Sequence, residues 1–299
     1  MSLEAIIVMV LRVSVVLTVF ALALGFSAEH RSHRRRNLAK LGRSLLAMYV
    51  VMPLVGVGLA VVFALHPPVK VALVALSVSP VPPLLPRKQL GAGGHATYAM
   101  WLLGTAALLA IVFVPGVMVL LGHMFNLRGH ISVATVAKLV TITVLAPLVA
   151  GMLVRLFAPS LAEHLSAPIS KIATLLLVAA LVPILLASGP AIVSLIGNGT
   201  VLALAAFSVA GLVAGHLLGG PEAADRVVLA LATATRHPGV SVAIASAAFP
   251  EQKLVGPAVA LYLIVTTLVS ALYMAWVRRR YPRMMSSRAT PAPSKRPAA

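Results

Sequence analysis

Apolar stretches of about twenty residues recur along the chain, separated by short polar breaks, and within them polar and apolar positions do not alternate. At about 1.5 Å of rise per residue, each stretch is long enough as a helix to cross a hydrocarbon layer of about 30 Å. A membrane barrel would instead need segments of about ten residues alternating in polarity. The pattern predicts an all-α, polytopic membrane protein with nine spans, at 5–26, 43–65, 70–90, 95–122, 131–157, 168–188, 200–219, 225–249 and 254–278.

Two of these spans are interrupted. The third carries Ser79-Pro80-Val81-Pro82-Pro83-Leu84-Leu85-Pro86, and no continuous helix runs through residues that lack amide donors and clash with the preceding turn. The eighth carries Ala232-Thr233-Ala234-Thr235-Arg236-His237-Pro238-Gly239, with a charge, an imidazole, Pro and Gly in the middle of an apolar run. Each interruption falls in the middle member of a three-span group, 43–122 and 200–278, and broken helices at corresponding places in two halves point to a secondary transporter with inverted repeats. The second group begins an odd number of spans after the first, so it starts from the opposite side of the membrane. That relation makes the repeats inverted and predicts that the two broken helices cross.

Composition and charge sharpen this reading. Hydrophobic residues make up 60% of the chain and charged residues only 10%, too few to solvate a soluble domain. Assigning Lys and Arg to alternate sides of nine spans puts 18 on one side and three on the other, with Arg12, Lys138 and Arg236 inside spans. Positive charge is retained on the cytoplasmic side, so the N-terminus is expected outside and the C-terminus in the cytoplasm, in a cell inner membrane. Arg12 and Lys138 lie within snorkelling reach of the headgroups. The net charge of +18 does not indicate nucleic acid, because the basic residues flank spans and lack interleaved aromatics; their expected partners are anionic membrane lipids. The first apolar stretch begins with Glu4 rather than positive charge and reads as a retained span, not a cleaved signal. Residues 286–299, rich in Pro, Ser and Ala, read as a disordered tail.

The candidate chemistry sits at the two interruptions. A broken helix frees backbone amides and carbonyls at mid-depth, where helix N-termini attract anions and freed carbonyls attract cations. The residues expected to line a substrate site are Ser79, Pro80 and Pro82 at the first break and Thr233, Thr235, Arg236, His237 and Gly239 at the second. A charge at that depth costs about 2.5–3.5 kcal/mol on insertion scales, so Arg236 is expected to face a cavity or a partner. The six acids, Glu4, Glu29, Glu163, Glu222, Asp225 and Glu251, fall at span ends or in loops, which leaves its guanidinium suited to a substrate carboxylate or sulfate. His237 either titrates and couples transport to protons or donates one hydrogen bond to a freed carbonyl. Thr233 and Thr235, two apart, cannot share a helix face; one lines the site while the other bonds back to its own backbone. The run Gly91–His95 with Tyr98 and Trp101 reads either as a gate or as an interfacial connector. Cysteine is absent, and zinc-protease, nucleophile-elbow and phosphate-loop motifs are missing, so neither an enzyme nor a cofactor or metal site is predicted.

The order of motifs resembles the bile acid:sodium symporter family. It runs from the basic first loop and Met48-Tyr49-Val50-Val51-Met52-Pro53, through Ser79-Pro80, Pro115 and Leu145-Ala146-Pro147-Leu148-Val149-Ala150-Gly151, to Arg236-His237-Pro238-Gly239. The resemblance implies two inverted repeats arranged as a core (43–122 and 200–278) and a panel (5–26 and 131–188), with a small organic anion moved between them by alternating access. It also exposes departures. Where sodium-binding relatives carry a Gln, a Ser-Asn pair, two hydroxyl residues, a Glu and a Gln, this chain has Met48, Leu85-Pro86, Ala99 and Leu103, Ala232 and Arg236. None of these carries a side-chain oxygen, and a hard cation needs several. Arg236 would then supply in fixed form the charge that sodium supplies in relatives. Transport would be sodium-independent, either facilitated or coupled to protons through His237 or the substrate. The other reading is a sensor or scaffold with a transporter-like fold and no flux.

Overall fold

In a computed structural model the described residues are 3–25, 34–79 and 141–282, with scattered positions between 81 and 138, and all regular structure among them is helical. Eleven α-helices are described: α1 (Leu3–Leu24), α2 (Arg34–Leu46), α3 (Met52–Val62), α4 (Pro67–Val78), α5 (Ala146–Phe157), α6 (Pro159–Ala187), α7 (Gly189–Ser194), α8 (Thr200–Leu218), α9 (Ala223–Ala234), α10 (Pro238–Ala248) and α11 (Val255–Arg280). Two π-helical turns, Ala47–Val51 and Thr141–Leu145, lead directly into α3 and α5.

The π turns have a common cause in the sequence. Each is followed by a helix with Pro at its second residue, Pro53 in α3 and Pro147 in α5. Proline cannot donate to the carbonyl one turn back and collides with it, and widening the turn relieves the collision. In the first turn the Met52 amide reaches back five residues to the Ala47 carbonyl. The next donor in that register would be residue 53, a proline, so the Met48 carbonyl has no helical partner.

Among the described residues, four helices are long and apolar enough to cross a membrane: Ala39–Val62, Pro159–Ala180, Thr200–Leu218 and Val255–Arg280. Three shorter apolar helices join them, at Arg12–Leu24, Pro67–Val78 and Thr141–Phe157. The expected spans 43–65, 200–219 and 254–278 coincide closely with helices. The sixth differs: α6 begins at Pro159, ahead of the expected 168, and runs through Pro168 and Pro183. Pro159 heads α6, where its missing amide costs nothing. Most of the fourth span and the start of the fifth lie outside the described residues, as do Pro115 and the tail 286–299.

The helices pack in two groups. α1 lies against α5 and α6, closely enough that a Cβ on Gly151 would meet the Ala23 Cβ at 2.5 Å. Ser14 Oγ donates to Ala173 O (2.8 Å) and Ser166 Oγ to Ala21 O (3.1 Å), tying α1 to α6. The larger group joins α3, α4, α8, α10 and α11 around Met52, Leu73, Leu76, Phe207 and Tyr262, all fully buried.

Within it α9 lies flush on α8. Gly211, Gly215 and Gly219 recur every fourth residue, and a Cβ on any of them would strike the backbone of Ala234, Ala230 or Arg226 respectively. Small residues at this spacing let two helix backbones approach, which is the main source of attraction between helices in lipid. The result is that every residue from Val227 to Ala234 is buried. Gly215→Val should lower the melting temperature of the detergent-purified protein sharply, because backbone rather than a side chain must move and overpacking costs about 1–3 kcal/mol or more. Gly58→Ala, with open space around the new methyl, should leave it unchanged or raise it slightly.

Candidate functional site

The two interruptions meet. α4 ends at Val78 and Ser79 turns extended (φ −72°, ψ 150°). A continuing helix would offer the Ser79 carbonyl the amide of residue 83, which is a proline without one. In the second interruption α9 ends at Ala234, Thr235 and His237 are extended, and α10 starts at Pro238. Here the Ala234 carbonyl loses its helical donor to Pro238. Three carbonyls at the crossing, Met48, Ser79 and Ala234, are thus orphaned by prolines four or five residues downstream.

Side chains replace the missing amides. Arg236, fully buried, donates from Nη1 to Ser79 O (3.2 Å) and from Nη2 to Met48 O (3.1 Å). The planar fork of the guanidinium spans two acceptors from different helices, which an ammonium could not do with fixed geometry. Its Nε finds no partner among the described residues. Tyr262 on α11 donates to Ala234 O (2.6 Å) and accepts from the Arg236 amide (3.1 Å), so one hydroxyl closes both backbone ends of the break. Thr266, one turn on, also donates to Ala234 O (3.3 Å). Carbonyls rather than a resident carboxylate thus receive the Arg236 charge, and both terminal nitrogens are engaged.

The extended link sorts the remaining residues by side. Alternation along extended backbone puts Thr235 and His237 on one face and Arg236 on the other. The Val240 amide donates to His237 Nδ1 (3.3 Å), capping α10, so the neutral ring carries its proton on Nε2. That Nε2–H and the Thr235 hydroxyl are buried and without partners among the described residues. His237 therefore accepts from a helix amide instead of donating to a freed carbonyl, and protonating Nδ1 would remove the cap. Gly239 is exposed and opens the N-terminus of α10, where a Cβ would lie 3.4 Å from the imidazole. Thr233 bonds back to Leu229 O (2.8 Å), inside its own helix.

Of the residues singled out from sequence, Ser79, Arg236, His237, Thr235 and Gly239 lie at or beside the crossing, Thr233 faces into α9, and Pro80 and Pro82 lie outside the described residues. Sequence reasoning missed Tyr262 and Thr266. Their signal was present: Tyr262 and Thr266, polar and buried at four-residue spacing in an apolar helix, mark the face that meets freed backbone. It also treated the acids as peripheral, whereas Asp225 is buried and paired with Lys40 and His95.

Tyr262→Phe keeps the ring that packs edge-on against Phe207, with centroids 6.0 Å apart, and removes only the hydroxyl. It leaves the Arg236 amide unpaired and Ala234 O with a long bond, which should cost about 1–3 kcal/mol. A lowered melting temperature in detergent is expected, while Thr233→Val, whose hydroxyl serves only its own helix, should change it much less.

A family model describing the sodium bile acid symporter family matches residues 10–195, more than half of the chain. The matched region includes both π turns and the first interruption and ends before α8, so Arg236 and Tyr262 lie beyond it. No curated protein matches the chain. With a family of membrane transporters matched over that length, and with apolar helices on a membrane scale, the chain belongs to the sodium bile acid symporter family.

Proposed function

We propose that this protein is a secondary transporter of a small organic anion whose crossing is held by a fixed cation, Arg236, in place of bound sodium. The observation that carries the proposal is the guanidinium fork onto Ser79 O and Met48 O. Freed carbonyls at a crossing are cation ligands, and here a side-chain cation already satisfies two of them. The sodium ligands of relatives are absent at Met48, Leu85-Pro86, Ala99, Leu103 and Ala232.

The substrate then belongs on the opposite face of the extended link. Two donors without partners among the described residues, His237 Nε2–H and the Thr235 hydroxyl, stand there beside the open N-terminus of α10 at Gly239, where the helix dipole favours negative charge. Arg236 adds long-range positive potential, and Ser79, Pro80 and Pro82 belong to the wall from the first break. Nine spans in two inverted repeats, a core of 43–122 and 200–278 rocking against a panel of 5–26 and 131–188, complete the mechanism. Support for that division comes from the packing of α1 with α5 and α6, apart from the group around α4, α8 and α11. The membrane is the cell inner membrane, with the N-terminus outside and basic loops in the cytoplasm. Because His237 serves as a neutral cap, coupling to protons would run through the substrate rather than this ring.

Uptake of labelled carboxylates and sulfates into proteoliposomes, with sodium and pH gradients imposed separately, tests the proposal. Uptake should be the same in sodium and in choline and should fall at least tenfold in His237→Ala. Strict dependence on sodium would overturn the fixed-cation reading, and absence of flux for every anion would overturn the transporter reading.

A further inference from the structure

Two of the six acids of this basic chain, Glu222 and Asp225, come together away from the crossing. Asp225, in the first turn of α9, is 1% exposed, and its Oδ2 is paired with Lys40 of α2. Its Oδ1 lies 2.8 Å from His95 Nδ1, and the same ring nitrogen lies 3.7 Å from Glu222 Oε2. Lys40 also reaches Glu222 Oε1 (3.7 Å). One ligand atom from each of His95, Glu222 and Asp225 falls within 4.8 Å of the other two. Ser44 joins the same corner, with its Oγ 2.6 Å from the Tyr98 hydroxyl.

A cation is already bound here: the Lys40 ammonium, tethered to the chain, held by both carboxylates. Two carboxylates and an imidazole are also a divalent-metal donor set, with neutral imidazole and ionised oxygens as zinc-type ions prefer. Bonds of about 2.0–2.2 Å in tetrahedral geometry place such ligands about 3.3–3.5 Å apart. The 2.8 and 3.7 Å separations bracket that value, and the half-exposed imidazole, at 53%, gives an entry path.

We propose that His95, Glu222 and Asp225 form a site for a zinc-type divalent cation, entered by displacing the Lys40 ammonium. The consequence is mechanical. α2 with its π turn and α9 are joined twice, by Lys40 to Asp225 at one end and by Arg236 to Met48 O at the other. Exchange of Lys40 for a metal ion unfastens the first link and leaves α9 joined to α2 and its π turn through the Arg236 contact, while its packing on α8 is untouched. The inference does not depend on which solute is carried or on whether sodium is.

The test is titration of Zn²⁺ alone into the detergent-purified full chain, read by calorimetry and by melting temperature. Wild type should bind and be stabilised. His95→Gln, which keeps a donor for Asp225 but removes the imidazole, should weaken binding at least tenfold, and Lys40→Met, which removes the competing ammonium, should tighten it at least tenfold. Unchanged affinity in His95→Gln would overturn the site. Unchanged or weaker affinity in Lys40→Met would overturn the exchange. Should Lys40→Met fail to fold, His95→Gln, at a half-exposed position, still decides.

Discussion

A single guanidinium stands where two prolines have removed backbone donors. Met48 O and Ser79 O, from different helices, lost their helical partners to Pro53 and Pro83, and Arg236 supplies both missing hydrogen bonds from the extended link between α9 and α10. Buried carbonyls in a lipid-embedded protein have no water to turn to, and each one left unpaired is costly. Prolines that break the helices and the arginine that joins them are therefore one device. Tyr262 and Thr266 extend it to the third orphan, Ala234 O, so the second break is closed by side chains and not by backbone.

This arrangement demands that α9 be placed accurately, and the glycine stripe of α8 does so. Gly211, Gly215 and Gly219 bring the α9 backbone against α8 along its length, so the depth of Arg236 is set by close backbone contact rather than by adaptable side chains. The Lys40–Asp225 pair anchors the other end of the same helix. The two faces of the link then differ: the Arg236 face holds the crossing, and the His237 and Thr235 face carries donors without partners among the described residues.

Much of this was legible in the chain itself. Apolar stretches of membrane length, the two interruptions and the residues within them were readable because proline and an intramembrane charge have strong local consequences. The destination of the Arg236 charge was not. Sequence reasoning aimed it at a substrate, since no acid was near, and did not pair it with the freed carbonyls that it had itself named as cation ligands. Counting back from Pro53, Pro83 and Pro238 would have named all three carbonyls, but which donor reaches them depends on tertiary packing, between segments 157 and 188 residues apart for Ser79 O and Met48 O and 28 apart for Ala234 O. Asp225 misled for the opposite reason. Its position at the head of a span looks like a solvated end, and only the fold buries it against Lys40 and His95.

The most direct measurement compares thermal unfolding of wild type and Arg236→Ala in sodium chloride and in choline chloride at equal ionic strength. Wild type should melt at the same temperature in both salts, while Arg236→Ala should melt well below it in choline and regain part of the loss in sodium, as the freed carbonyls accept a mobile cation. A wild-type protein stabilised by sodium, or an Arg236→Ala variant that melts like wild type, would contradict the idea that the guanidinium holds the crossing.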